Sequence, residues 1–566
     1  MNIKKQRLTA IAGLTLLLFL CFSCNNEKTT GGRKFKEMVV SAHPEASKIG
    51  AGILKAGGNA VDAACAVEFA LAVAYPDAGN IGGGGFMVIR TKDGKSYALD
   101  YRERAPLKAD RDMYLDENGE VVKGLSLDSH LAVGVPGTVD GIIKAHARFG
   151  KLPFKDVIQP AIDLARNGFP ITEKQSKRLN KYKKDFIKMN VVTPVFVKDE
   201  PWKKGDILKQ PQLAHTLELI RDKGRDGFYK GETAAALVRQ MQKYDGLITQ
   251  KDLDGYSSVW RKPITGQYKN YGIISMPPPS SGGVALMQLL EIVEPYPLKE
   301  WGWHDARTIH LMVEAERRVY ADRAEYLGDP DFYKVPVTGL LNKKYLKERM
   351  KNFDPEKATP SSEIKCGNPS GYESEETTHY SVVDMDGNAV SVTTTLNRSY
   401  GSKIVVEDAG FLLNNEMDDF SMKPGVPNSY GLVGGEANSI QPGKRMLSSM
   451  TPTIVEKDGK LFMVVGSPGG STIITSVFQT ILNVVEHDMN MQEAVTASRF
   501  HSQWLPDVVY YEKGGFPDSL KQRIEQMGHE LKERSSIGRV DAILCLPDGS
   551  LQGGADPRGD DTAVGN

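Results

Sequence analysis

The chain has 566 residues, and its 71 Lys and Arg against 71 Asp and Glu give a formal charge of zero. That balance excludes a basic nucleic-acid binder and an acidic disordered polymer, while 40% hydrophobic and 25% charged residues suit a globular protein with a large core. Five cysteines with a single C-x-x-C pair, Cys21 and Cys24, exclude a zinc ribbon, which needs two such pairs, and a disulfide-dense scaffold.

The first residues read as an export signal. Lys4, Lys5 and Arg7 precede an apolar run from Ile11 to Phe22. The run is shorter than the roughly 20 residues a membrane span requires. It ends in Cys21-Phe22-Ser23-Cys24, ahead of polar Asn25, Asn26, Glu27 and Lys28. A small residue directly before a cysteine resembles a bacterial lipobox, although Cys21 stands where Leu is usual. Residues 1–23 are therefore predicted to be removed and Cys24 lipidated, with ordinary signal cleavage nearby as the alternative. The mature protein is expected in the periplasm or cell envelope, joined to a membrane only through that lipid. Cys65, Cys366 and Cys545 are then too few and too scattered for a disulfide framework.

Residues 51–74 read as one helix with small residues at its packing positions, followed by Gly82 to Gly85, the strand-like FMVIR and a turn at Asp93-Gly94. Apolar spacings of three and four predict mostly helix over 152–239. Pro277, Pro278 and Pro279 break the pattern ahead of a helix over 283–293, and another is predicted over 305–322. Residues 354–376, polar and rich in Pro, Ser and Glu, read as a flexible linker. Beyond it, segments 379–384 and 389–396 alternate and are β-branched, joined through Asp386-Gly387 as a hairpin. Strands over 453–456 and 461–465 and a helix over 473–485 complete a strand-rich second part after a helix-rich first. No repeat of fixed period is present.

Several familiar motifs are missing. Gly82 to Gly85 is not G-x-G-x-x-G, because Met87 occupies the last required position. There is no H-E-x-x-H; His310 and Glu314, one helical turn apart, suit a surface or core pair better than a metal site. No G-x-S-x-G nucleophile elbow occurs. A dinucleotide enzyme, a zincin and a serine hydrolase of that type all lose ground, and no metal or organic cofactor is expected.

The informative junction is Glu376-Thr377-Thr378-His379-Tyr380-Ser381, where the linker meets the first strand of the second part. A cut before Thr377 would give that residue a free α-amine beside its own hydroxyl. Such an amine has a pKa near 8 and can serve as the base that a threonine nucleophile needs. A threonine at a strand start is also ordinary β-propensity.

The surrounding words go further. TTHYSVVDMDGNAVSVTTTLN, LLNNEMDDFSMKPGVPNSYGLVGG, KRMLSSMTPTIV and VVGSPGGSTIIT closely resemble the γ-glutamyltranspeptidase family, as do GGNAVDAACA, NIGGGGFMVIR, LDYRERAP, GVPGTVDG and MPPPSSGG upstream. The resemblance runs from about Val40 to the end. It implies an α/β fold, the four-layer αββα sandwich of N-terminal-nucleophile hydrolases, built from two chains of one precursor. Cleavage between Glu376 and Thr377 would separate a large chain, 24–376, from a small one, 377–566. By the same resemblance Thr377 is the nucleophile, and Thr395 is the threonine whose hydroxyl bonds to it. Gly469 and Gly470 match the oxyanion-hole glycines, where backbone without side chains can approach a developing charge. Arg102, Ser448 and Ser449 match the residues holding a substrate α-carboxylate, and a guanidinium suits a carboxylate by offering two parallel donors. Asn397, Glu416 and Asp419 match those receiving the α-ammonium. The loop 424–435 matches the family's lid, with Tyr430 closing against Asn397.

Singly, each residue has an ordinary alternative. Arg102 and Glu103 would make a surface charge pair, Asp418-Asp419 a solvated turn, Ser448-Ser449 a loop. Gly469-Gly470 would be a strand-to-helix turn capped by Ser471. Together, in family order, they imply an enzyme acting on glutathione and other γ-glutamyl compounds, with amino-acid or dipeptide acceptors. The rivals are a cephalosporin or glutaryl acylase of the same superfamily, and a non-catalytic solute-binding lipoprotein.

Overall fold

The computed structural model describes residues 34–369 and 379–566. Side chains alternate faces along a pleated strand, and here the two faces join different cores. Val39, Met87, Ile89, Leu99, Val390 and Val392 lie in one core with the early helices, whereas their strand neighbours Met38, Val40, Phe86, Val88, Ala98 and Ala389 lie in another. These residues build a seven-stranded antiparallel sheet. Its spatial order is Thr562–Gly565, Met38–Ser41, His379–Val383, Ala389–Thr395, Gly84–Arg90, Ser96–Asp100 and Val259–Arg261. A six-stranded sheet runs Leu551–Gly554, Asp541–Cys545, Lys460–Gly466, Thr453–Lys457, Tyr271–Ser275 and Ile264–Tyr268. Ile274, Ile454, Val464 and Ile543 of this second sheet meet the inner residues of the first. Their neighbours Ile273, Val455, Met463, Val465 and Ala542 face helices Gly282–Val293, Ala306–Tyr326 and Thr472–Val485. Helix Ala60–Ala74, buried along its whole length, covers the other outer face. Helix, sheet, sheet, helix is the αββα sandwich expected from the sequence.

The strands after the linker lie inside the first sheet, between Met38–Ser41 and Gly84–Arg90. The helix-rich and strand-rich halves are therefore a division of content, not of space, and residues 35–566 form one unit. Polar groups around His379 help to stitch the two sheets together. His379 Nδ1 and Nε2 lie 3.2 Å from Thr393 Oγ1 and 2.9 Å from Ser381 Oγ, and the Ser381 hydroxyl donates to the Asp541 carbonyl at 3.2 Å.

Two expectations need correction. The single helix over 51–74 is two, Pro44–Lys55 and Ala60–Ala74. Gly57 takes φ +91°, a left-handed conformation that ends the first helix. Asn59 then starts the second with a capping box: its side chain accepts from the Asp62 amide, and the Asp62 carboxylate accepts from the Asn59 amide. The small-residue pattern runs on through the break and conceals it. The linker is also not free over its described part. Residues 354–369 are pinned where Thr359 donates from its amide to Glu314 at 2.9 Å, Ser361 to Asp507 at 2.7 Å and Ala358 to the Met527 carbonyl at 2.6 Å. These bonds are made by backbone amides, while many of the segment's polar side chains remain exposed; 370–376 lie outside the described residues.

Candidate active site

The strand Lys460–Gly466 turns into helix Thr472–Val485 through Pro468, Gly469 and Gly470. Gly469 and Gly470 have φ of +139° and +62°, and a Cβ on Gly470 would lie 2.6 Å from the Tyr430 ring. Glycine is required there by both backbone and space. Neither amide donates to another described residue, and both precede a helix N-terminus, where the macrodipole favours negative charge. Ser471 occupies the cap position but makes no side-chain capping bond, so the capping expectation fails.

Tyr430 links this turn to the chain around Asn397. Its hydroxyl donates to the Asn397 carbonyl at 2.6 Å. Asn397 follows the strand Ala389–Thr395 with φ +72°; its amide donates to Thr395 Oγ1 at 2.7 Å and its Nδ2 to the Asn415 carbonyl at 2.8 Å. The Asn397 Oδ1 is buried with no hydrogen-bond partner among the described residues. The loop carrying Tyr430 is internally braced, since Asn428 Oδ1 accepts from the amides of Tyr430 and Leu432. It is tied inward by the Ser429 amide, which donates to Asp418 at 3.2 Å.

Inward of Tyr430 the charges gather on Arg102. Its guanidinium lies 2.8 Å from Glu416, 2.6 Å from Asp419 and 3.6 Å from Glu103, and it donates to the carbonyls of Met446 and Leu447 at 3.3 and 3.0 Å. Arg102, Glu103 and Glu416 are 0% exposed and Asp419 is 4% exposed, which rules out the surface pair and the solvated turn. Burial opposes the Arg102 charge, yet Glu416, Glu103 and Asp419 together hold its pKa above the ordinary value. Burial pushes the carboxyls of Glu103 and Glu416 up to about 8, against the pull of Arg102. Ser448 and Ser449 follow directly after the carbonyls that Arg102 holds. Both are buried, and the Ser449 hydroxyl has no hydrogen-bond partner among the described residues.

The structure thus brings Arg102, Glu416, Asp419, Ser448 and Ser449 into one buried group, and Asn397, Tyr430, Gly469 and Gly470 onto the wall of an 870 Å³ cleft beside it. Thr395 is buried at the end of its strand. Thr377, Glu376 and Cys24 lie outside the described residues. The nearest described position to Thr377 is His379, whose Cα partner across the sheet is Thr393, two residues before Thr395.

Two residues of this site, His379 and Asn80, carry no local signal, and a third, Glu103, is marked only by the glycines it packs against. Burial takes His379 down to about 3, so it is a neutral ring fixed between Thr393 and Ser381. Asn80 donates to the Thr395 carbonyl at 2.7 Å and accepts from the Gly83 amide at 2.9 Å, locking the glycine run against the strand end. Glu103 packs where a Cβ on Gly84 would meet it at 2.4 Å. The four-glycine run is the signal that something approaches closely there.

Comparison with known proteins gives the same picture. The family model described as gamma-glutamyltranspeptidase matches residues 46–566. The glutathione hydrolase proenzyme of Escherichia coli (strain K12) is 52% identical over 531 residues, 93% of this chain and 91% of that protein. A crystal structure of Helicobacter pylori gamma-glutamyltranspeptidase aligns at 46% identity and TM-score 0.57, covering 58% of this chain and 94% of that one. A crystal structure of cephalosporin acylase from Bacillus halodurans aligns at 27% identity and TM-score 0.83, covering 94% of this chain and 96% of that one.

Proposed function

This chain belongs to the γ-glutamyltranspeptidase family, and from that premise we propose that it is an autoprocessed enzyme that removes the γ-glutamyl group from glutathione and related γ-glutamyl amides. The observation that carries this is one buried guanidinium, Arg102, set between the carboxyls of Glu416 and Asp419, together with the amides of Gly469 and Gly470, which line an open cleft and donate to no other described residue. A glutamyl group offers the matching set: a carboxylate and an ammonium at one end and a reactive amide at the other. Its α-carboxylate would take Arg102, Ser448 and Ser449, exchanging for the protein carboxylates that hold the guanidinium. Its α-ammonium would take Asn397, Glu416 and Asp419. With Tyr430 closed over it, the γ-carbonyl would lie against Gly469 and Gly470.

The proposed reaction has two halves. Thr377 Oγ attacks the γ-carbonyl, the Thr377 α-amine accepts the hydroxyl proton, and the oxyanion is held by the amides of Gly469 and Gly470. Thr395, through its hydroxyl, tunes the nucleophile. The C–N bond breaks as that proton passes to the leaving amine, which leaves a γ-glutamyl ester on Thr377. Water then gives glutamate, or the amine of an amino acid or dipeptide gives a new γ-glutamyl amide, each restoring the threonine hydroxyl.

The two chains of the mature enzyme are proposed as 24–376 and 377–566, cut between Glu376 and Thr377. Two facts support this: the relative from Escherichia coli is named a proenzyme, and the Helicobacter pylori chain is matched almost throughout by 58% of this one. The acylase reading shares the fold but gives no use to two carboxyls beside the carboxylate-binding arginine. Purified protein should release glutamate from glutathione, and glycylglycine should divert part of the flux into γ-glutamyl-glycylglycine. No glutamate and no transfer product from a fully cleaved preparation would refute the activity.

Among the described residues no helix is long and apolar enough to cross a membrane. Attachment to the envelope is proposed through a lipid on Cys24, supported by the Ser23-Cys24 pair after the apolar run. Cys24→Ser should move active enzyme into the soluble fraction. Wild-type protein that is wholly soluble and carries no lipid mass would count against the anchor.

A further inference from the structure

Resting on the γ-glutamyl reaction above, we propose that the cleft outside Gly469 and Gly470 is an anion subsite, in which Arg398, supported by Lys403 and Lys174, binds a carboxylate carried by the leaving amine or by the acceptor that replaces it. Geometry assigns the occupant. If the glutamyl group goes inward beneath Tyr430 and its carbonyl rests on the glycine amides, the substituent on the amide nitrogen has only the cleft to occupy. The 870 Å³ cleft is large enough for a dipeptide-sized group.

Charge assigns the chemistry. In a chain of zero net charge, eight cationic side chains but only two carboxylates, Asp77 and Asp560, line this cleft among the described residues. Several of the cations are already answered. Arg178 pairs with Asp77, Arg539 with Asp561, and Arg558 with Glu512 and Asp556. Among the described residues Arg398 has no carboxylate partner: its guanidinium carbon sits 5.0 Å from the Tyr430 ring centroid, and its hydrogen-bond acceptor there is the Ser429 carbonyl at 3.5 Å. Lys174 is bonded to the carbonyls of Pro557, at 3.2 Å, and Gly559. Lys403 is held in a left-handed conformation at φ +62° with its ammonium 3.8 Å from Asp128. Burial, with the charge of Arg398 adding to it, lowers the Lys403 pKa even though Asp128 pulls the other way. A carboxylate between Arg398 and Lys403 would relieve their mutual repulsion.

Arg398 is also well placed to link the two halves of the site. It follows Asn397 in sequence and stacks on the residue that closes the lid, so an anion bound to its planar fork would steady Tyr430 over the glutamyl group. A substrate whose leaving amine bears a carboxylate should be preferred to one whose leaving amine is neutral. By microscopic reversibility the same preference should hold for acceptors.

The test compares γ-glutamyl-4-nitroanilide with γ-glutamyl-3-carboxy-4-nitroanilide in the cleaved wild-type enzyme and in Arg398→Gln, Lys403→Gln and Arg398→Lys. The readout is the ratio of kcat/KM for the carboxylated over the neutral anilide; comparing variants cancels the intrinsic difference between the two leaving groups. The ratio should fall about five- to tenfold in Arg398→Gln, the loss of a charge-assisted contact at a partly hydrated site. It should fall less in Lys403→Gln, recover in part in Arg398→Lys, and shrink in the wild type as ionic strength rises. A ratio unchanged in both Gln variants would overturn the subsite while leaving the reaction standing. Turnover of neither anilide by the wild type would overturn the γ-glutamyl reaction, and the subsite with it.

Discussion

Thr377→Ala is expected to leave a single uncut chain with no measurable glutathione hydrolysis. Both losses have one cause. In the proposed self-cleavage, Thr377 Oγ attacks the Glu376 carbonyl and forms an ester as the Glu376–Thr377 amide bond breaks. That bond cleavage frees the Thr377 amine, and water then hydrolyses the ester, which releases the Glu376 carboxylate and restores the Thr377 hydroxyl. Alanine has no hydroxyl for this step, and without the cut no α-amine exists to act as base in the second reaction. Removing a covalent nucleophile costs on the order of a thousandfold or more in rate. Wild-type protein should run as two bands, with the smaller beginning Thr-Thr-His-Tyr-Ser. Thr377→Ser should cut, more slowly or faster, because it keeps the hydroxyl. The fold should survive the alanine change, since His379, Ser381 and Ser391 lock their strands by contacts that do not involve residue 377. Uncut wild-type protein that still hydrolyses glutathione would sink the mechanism.

How far the sequence could be read depends on the range of the interaction. Strand alternation at 379–396 and 453–465 was legible because each strand separates two cores, and the pattern is local. The glycine turn at Gly469 and Gly470 and the acidic run at Glu416 to Asp419 were legible as words of a family. The break at Gly57 was not, because alanine and valine continue the helical spacing on both sides of it. The packed state of 354–369 was hidden too: its partners Glu314, Asp507 and Met527 are far away in sequence, and composition says nothing of them. Asn80 and His379 belong to the same class. Each acts through a strand that the fold, not the neighbouring sequence, brings alongside.

Asp419→Asn should separate γ-glutamyl substrates from glutaryl ones. Asp419 lies 2.6 Å from Arg102 with its side chain almost wholly buried, and Asn428 from the lid loop donates to it at 3.5 Å. In the proposed complex its charge answers the α-ammonium under the closed lid. A hydrogen bond to a charged group is worth about 1.5–3 kcal/mol, so kcat/KM for a γ-glutamyl anilide should fall roughly ten- to hundredfold. Asparagine keeps the shape but presents donors toward a cation, which places the loss at the upper end. A glutaryl anilide has the carboxylate without the ammonium. For that substrate the variant removes a competitor for the Arg102 guanidinium and no useful contact, so turnover should hold or improve. Self-cleavage should be retained, because the group that Asp419 reads is on the substrate and not at the Glu376–Thr377 bond. The measurement is the ratio of kcat/KM for the two anilides in both proteins. An unchanged ratio would mean that Asp419 serves only to neutralise Arg102, and a pocket indifferent to the ammonium would be an acylase pocket.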